Sequence, residues 1–243
     1  MLPVLITFCD IIREHPFCLE PFKAGNEYVR NVFGEKGFQL LDTVKKTTLL
    51  YHQGTDSFFK IVHPLAVKHK IRFLLSDISG SLYRLNGRLC AAGVPLPPML
   101  GYGTVRSGRR PFYVVRRAEG RSLYDLLIRG GGRMPLEVYE RVVDTVALFH
   151  HQGYWFRDAH LSHIFVDRGS VTGFIDLDSI RRNFPFFLRN LAKDLAGLNH
   201  PGLRLSASEK ILMAKRYCAR MGITKEEQFL GKIAYYSERR WKE

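Results

Sequence analysis

The residues with the most chemical content lie between positions 154 and 178. An apolar run, Tyr154-Trp155-Phe156, leads into Arg157 and Asp158, and His163 stands five residues on. Two β-rich runs follow, Ile164-Phe165-Val166 and residues 171–175. The turn Asp167-Arg168-Gly169-Ser170 separates them, and the second run delivers Asp176. This pattern predicts a β-hairpin. Hairpin geometry would bring Asp158 and Asp176 to the same end of the paired strands. Two carboxylates so placed suit phosphoryl transfer: one accepts or orients the proton of an attacking hydroxyl, and the other holds a Mg²⁺ that bridges nucleotide phosphates.

The rest of the chain must position that pair. Residues 1–37 read as a short helix and a loop. From Gly37 to Val62 the pattern changes to three strands, at 38–41, 47–51 and 57–62, which predicts an antiparallel meander. A helix with Lys68, His69, Lys70 and Arg72 is expected over 65–75, and a second over 81–92, stopped by Gly93 and Pro95. Strands are expected near 101–105 and 112–115, joined by a turn at 106–109. The remainder is mostly helical. Residues 122–128 form a short helix ended by Gly130-Gly131-Gly132. Tyr139, Val142, Val143, Val146 and Phe149 repeat at helical spacing over 135–151. Ser206 and Glu209 form a capping box for a helix through Arg220, and a last helix runs from about Lys225. Strands first and helices later imply an α+β fold in two lobes, residues 1–116 and 117–243.

Composition limits the classes of function. Hydrophobic content of 46% and charged content of 25% are those of a folded globular chain. No apolar run approaches the roughly 20 residues needed to cross a bilayer, and no signal peptide is evident, so a cytoplasmic protein is expected. The four cysteines are scattered, which predicts reduced thiols. A net charge of +14 points to an anionic partner. Nucleic acid, an anionic membrane surface and a phosphorylated glycolipid all satisfy charge alone, but no nucleic-acid-binding motif accompanies it.

Two other readings of the central motif have less support. Asp176-Leu177-Asp178 resembles the D-x-D start of haloacid-dehalogenase-type phosphatases, but no G-D-x-x-x-D follows. His160 and His163 with Asp158 could suggest a transition-metal site, but no carboxylate-rich cluster lies beside them in sequence.

The segment Phe156-Arg157-Asp158-Ala159-His160-Leu161-Ser162-His163, with Asp176-Leu177-Asp178, resembles the catalytic loop and metal-binding Asp of protein-kinase-like enzymes. His163 in place of Asn, and Ile175-Asp176-Leu177, are similar to the heptose and Kdo kinases of the lipopolysaccharide core. Phe58-Phe59-Lys60-Ile61, Ala92-Gly93-Val94-Pro95 and Lys193-Asp194-Leu195 resemble further motifs of that family. The resemblance implies a bilobal protein-kinase-like fold and an ATP-dependent enzyme acting on a sugar hydroxyl of the inner core. Lys60 would hold the α- and β-phosphates, and Lys45 and Lys46, at the first strand turn, would also bind the nucleotide. Backbone from Val115 to Arg117 would meet the adenine. Asp176, with His163 as a second candidate ligand, would bind Mg²⁺. Asp158 would be the base, with Arg157 favouring an anionic glycolipid acceptor and a peripheral contact with the inner membrane. Three positions depart from the kinase pattern: Phe156 replaces a His, Leu82 stands where a helix Glu pairs the lysine, and no G-x-G-x-x-G loop is present. Another small-molecule phosphotransferase, of the aminoglycoside type, and a pseudokinase scaffold are the alternatives.

Overall fold

The computed structural model describes residues 3–15, 27–43, 46–64, 66–67, 71, 73, 75–105 and 110–242. Lys45, most of the expected basic helix over 65–75 and the turn at 106–109 lie outside the described residues. Contacts divide the chain into two compact units, Met1–Arg88 with Pro97–Arg117, and Leu89–Leu96 with Ala118–Glu243. The division differs from a single break at 116/117 because residues 89–96 group with the second unit. Leu89, Val94 and Leu96 are buried, and the Phe174 N–H donates to the Pro95 carbonyl at 2.9 Å.

The first unit is an antiparallel sheet in the order β1-β2-β3-β5-β4. Its strands are β1 (Phe38–Thr43), β2 (Thr47–His52), β3 (Ser57–Val62), β4 (Met99–Val105) and β5 (Arg110–Arg116). Strict alternation along β3 buries Ser57, Phe59 and Ile61 on one face. Helix α1 (Pro3–Glu14) covers that face: Val4, Leu5, Phe8, Ile11 and Ile12 recur at helical spacing and are all buried. Phe8 sits centrally, 4.8 Å from the Phe59 ring and 5.0 Å from Phe112. Each such ring contributes roughly 1.5–3 kcal/mol by leaving water. The described residues of 1–37 hold two helices where one was expected, since α2 (Glu27–Gly34) adds Phe33 to the same core. Helix α3 (Ile78–Ala91) starts at Asp77, whose carboxylate accepts the Gly80 N–H at 2.8 Å and lies 3.6 Å from Arg84.

The second unit is mainly helical. It holds α4 (Leu136–His151), α5 (Leu188–Leu198), α6 (Ala207–Met221) and α7 (Glu226–Trp241). Between α3 and α5 run β6 (Arg121–Ser122), β7 (Tyr154–Trp155), the hairpin β8 (Ile164–Asp167) and β9 (Ser170–Phe174), and β10 (Arg181–Arg182). Arg168 and Gly169 both have positive φ, which makes the hairpin turn type I′, as two-residue loops prefer. Helices α4 and α6 are clamped by Asp144, which accepts from both Arg216 and Arg220 at 2.8–3.0 Å. Those guanidiniums hold the Asp144 carboxyl down to about 2. The capping box forms at Ser206 and Glu209 as expected. The cysteines Cys9, Cys90 and Cys218 are free thiols. Among the described residues no helix is long and apolar enough to cross a membrane.

Candidate active site

The loop that carries Asp158 is anchored from below. Gly153, at φ 76°, ends α4 and turns the chain into β7, where Trp155 pairs with Arg181. Phe156 is then buried and stacks on Phe149 with centroids 4.0 Å apart. The loop's polar anchor is backbone: the Phe156 N–H donates to the Asp194 carboxylate of α5 at 2.6 Å. The same carboxylate oxygen lies 3.1 Å from Nε2 of His150, whose Nδ1 lies 2.7 Å from the Tyr217 hydroxyl. A carboxylate can only accept, so Nε2 of His150 carries a proton and donates to Asp194. Burial pushes the Tyr217 phenol far above its ordinary value, which keeps it a donor. A fully buried chain Tyr217–His150–Asp194–Phe156 therefore ties three helices to the loop. His150 and His151 read in sequence only as a helix end. His150 is instead internal, four residues after Val146 on the apolar stripe of α4.

Beyond the anchor the backbone turns sharply. Arg157 adopts φ 66°, a left-handed conformation uncommon outside glycine, and its side chain is exposed. Asp158 emerges next, with its side chain 67% exposed. His163 links Asp158 to the hairpin. Its Nδ1 lies 3.2 Å from the Asp158 carbonyl, and because a carbonyl only accepts, Nδ1 carries the proton. Its own carbonyl accepts the Ile175 N–H at 2.9 Å, one residue before Asp176. The structure thus brings Asp158, His163 and Asp176 into one hydrogen-bonded backbone unit. Asp176 is itself left-handed, at φ 68° and ψ 48°, and its carbonyl accepts from both the N–H and the hydroxyl of Ser179.

Asp176 and His163 fit a divalent ion in part. Among the described residues no three His, Cys, Asp or Glu side chains gather as a ready-made metal cluster. A Mg²⁺ completed by phosphate and water oxygens needs only one or two protein carboxylates, and Asp176 offers one. With its proton on Nδ1, His163 presents Nε2 as its free donor atom, though imidazole is a soft choice for Mg²⁺.

Arg240 was not singled out for this site by sequence. From the last turn of α7 it donates to Oδ1 of Asp158 at 2.8 Å, across 82 positions of chain. A signal for it exists. Phe229, Ile233 and Ser237 form the buried face of α7, and Arg240 lies eleven residues past Phe229, about three full turns.

In the first unit, Lys60 lies on the sheet face opposite α1, between the inward-facing Phe59 and Ile61. Its cross-strand neighbours are Leu49 and Tyr113, and Val115 stands opposite Phe58 on the same face. Lys60 and Val115 therefore share one surface. Lys46 is exposed just before β2, and its carbonyl accepts the His63 N–H at 2.7 Å. Arg117 is exposed, 3.9 Å from the Asp56 carboxylate, and its N–H donates to the Asp56 carbonyl.

The chain is similar to solved phosphotransferase structures. An aminoglycoside-3′-phosphotransferase of type VIII matches with a TM-score of 0.54 at 15% identity, over 86% of this chain and 95% of that one. WbdD, in a co-crystal with the kinase inhibitor LY294002, matches with a TM-score of 0.51 at 16% identity, over 82% of this chain. This chain spans 46% of the WbdD chain. The shared architecture is the protein-kinase-like α+β fold. The sequence matches no known family profile and no curated protein.

Proposed function

We propose that the protein is an ATP-dependent phosphotransferase that phosphorylates a sugar hydroxyl of the lipopolysaccharide inner core, on heptose or Kdo. One observation carries the reading: Asp158 is pushed outward by a buried anchor and joined through His163 to the strand that delivers Asp176. Asp158 is exposed, so it can accept a proton from an incoming hydroxyl. Lys60 and Val115, on the sheet face opposite α1, suit the phosphates and the base of a nucleotide. Asp176 would hold Mg²⁺, which neutralises phosphate charge when bound. The net charge of +14 suits an anionic glycolipid, and with it a peripheral place at the inner membrane surface.

A second reading, an aminoglycoside acceptor, is supported by the near full-length likeness to an aminoglycoside phosphotransferase. The charge opposes it, because aminoglycosides are polycations. The deciding experiment measures Mg²⁺-ATP-dependent thermal shift, then transfer of the labelled γ-phosphoryl to Kdo, heptose and an aminoglycoside. Stabilisation by Mg²⁺-ATP and labelling of a core sugar are expected. Absence of any nucleotide-dependent shift would leave a pseudokinase scaffold, and labelling of the aminoglycoside alone would replace the substrate class. Mass spectrometry of core glycan from a deletion strain should show a species one phosphate lighter.

A further inference from the structure

Beside Asp158 stands a group of rings that the proton-transfer chemistry does not use. His160 lies 5.3 Å from Tyr124, 5.9 Å from His163, 6.3 Å from His200 and 6.2 Å from Trp241. His200 meets Trp241 edge-on at 4.7 Å and Tyr124 at 5.8 Å. All are half-buried. Arg240 lies 5.5 Å from its neighbour's indole ring while bonding Asp158.

The protons of this group are fixed by its backbone bonds. Nδ1 of His160 accepts the Ser162 N–H at 3.2 Å, and Nδ1 of His200 accepts the Gly202 N–H at 3.0 Å. Both neutral rings therefore carry their proton on Nε2, as donors. The bond to Asp158 uses one of the five N–H donors of Arg240. Asp158 is the acid among these groups, and it is engaged by Arg240.

The position of Arg240 is built rather than incidental. The Trp241 indole N–H donates to the Ala196 carbonyl at 3.0 Å, and the Asn199 side-chain amide donates to the Ser237 hydroxyl at 3.2 Å, which fastens α7 to α5. Gly197 lies between these contacts. A Cβ there would overlap the Ala159 carbonyl oxygen and come within 3.1 Å of the Arg240 guanidinium. The missing side chain thus forms the slot in which the guanidinium reaches Asp158.

We infer that Tyr124, His160, His200, Arg240 and Trp241 form the acceptor subsite, and that it selects an acidic sugar. The inference rests on the proposed kinase reading and names its acceptor class. Aromatic faces suit the C–H face of a pyranose. Imidazole N–H donors and a guanidinium suit a carboxylate or phosphate carried next to the reacting hydroxyl. Burial, then the charges of His163, Arg240 and His200, hold His160 below its ordinary value, while Asp158 opposes them. Burial, then Lys210, does the same for His200. Both rings are thereby held neutral, as the N–H bonds accepted at Nδ1 require.

The test is calorimetric titration of the nucleotide-free protein with Kdo and with Kdo methyl ester, its uncharged counterpart. Kdo should bind at least tenfold more tightly than the ester. Arg240→Ala should remove that preference without changing Mg²⁺-ATP affinity. Arg240→Lys, which keeps the charge, reports on folding, and Arg239→Ala, a neighbouring cation outside the subsite, should change nothing. Equal affinity for acid and ester, no saturable Kdo binding, or an unaltered preference in Arg240→Ala overturns the inference. If Mg²⁺-ATP fails to bind while Kdo binds selectively, the kinase reading falls and the subsite stands. If label reaches a neutral sugar with no selectivity for acids, the subsite falls and the kinase reading stands.

Discussion

Asp158 and Asp176 reach their places by similar backbone means. Each sits at or beside a residue with left-handed φ, Arg157 for the first and Asp176 itself for the second. Such conformations cost about 1–3 kcal/mol each outside glycine, and the buried bonds around Phe156 and the Ser179 turn hold them in place. The two carboxylates should separate kinetically. Asp158→Ala should lower phosphoryl transfer by roughly 10²–10⁴-fold, the usual range for a lost general base, with nucleotide affinity nearly unchanged. Near-normal turnover in that variant would show that another group takes the proton. Asp176→Asn should instead weaken Mg²⁺-dependent nucleotide binding, which a titration of Mg²⁺ at fixed ATP would reveal. An unchanged titration would remove Asp176 from the metal site.

Between elements, the close approach of α5 to the loop that carries Asp158 decides the geometry. Gly197 permits it, with the Ala159 carbonyl and the Arg240 guanidinium packed where a side chain would stand. Gly197→Ala should push α5 and the loop apart. Overpacking of this kind costs about 1–3 kcal/mol, so a lower melting temperature and a lower rate should appear together. Substitution at Gly231 of α7, where nothing lies within 4 Å of an added Cβ, is the matched control. An unaffected rate in Gly197→Ala would mean that the loop tolerates displacement. In the first unit, β3 ends at another buried polar contact: His63 Nε2 lies 2.8 Å from the Thr48 hydroxyl. Burial, then the charge of Arg110, lowers His63 from 6.5 to about 4. The unfolded chain therefore binds the extra proton first. Stability should be complete above pH 6.5 and decline as pH falls towards about 4. His63→Gln should flatten the melting-temperature profile over that window, and an identical slope in the variant would place the acid sensitivity elsewhere.

Across the whole molecule, charge dominates. With 37 Lys and Arg against 23 Asp and Glu, the field is strongly positive, and exposed charges are screened over about 10 Å at 0.1 M salt. Association with anionic core glycolipid should weaken steeply between low and high salt, as read by vesicle co-sedimentation. Flat binding would mean that the charge serves another partner. Much of this was legible without coordinates. The meander, the hairpin and its turn, the capped helix at Ser206 and the order of motifs around Asp158 follow from local periodicity and turn chemistry. Helix α5 was not foreseen as an element, although its Lys193-Asp194-Leu195 run was. It is short and lacks a side-chain N-cap bond, so its signal is tertiary.

By itself the sequence determined the fold class, the candidate carboxylates and the chain's own net charge, because each depends on local pattern or on summed composition. Tertiary structure decided which distant side chains meet them. Asp194 under Phe156, His150 between Asp194 and Tyr217, and Arg240 on Asp158 are separated by 38, 44, 67 and 82 positions. Helical spacing can put such a residue on the inner face of its helix, but only the packing of α4, α5, α6 and α7 fixes what lies opposite.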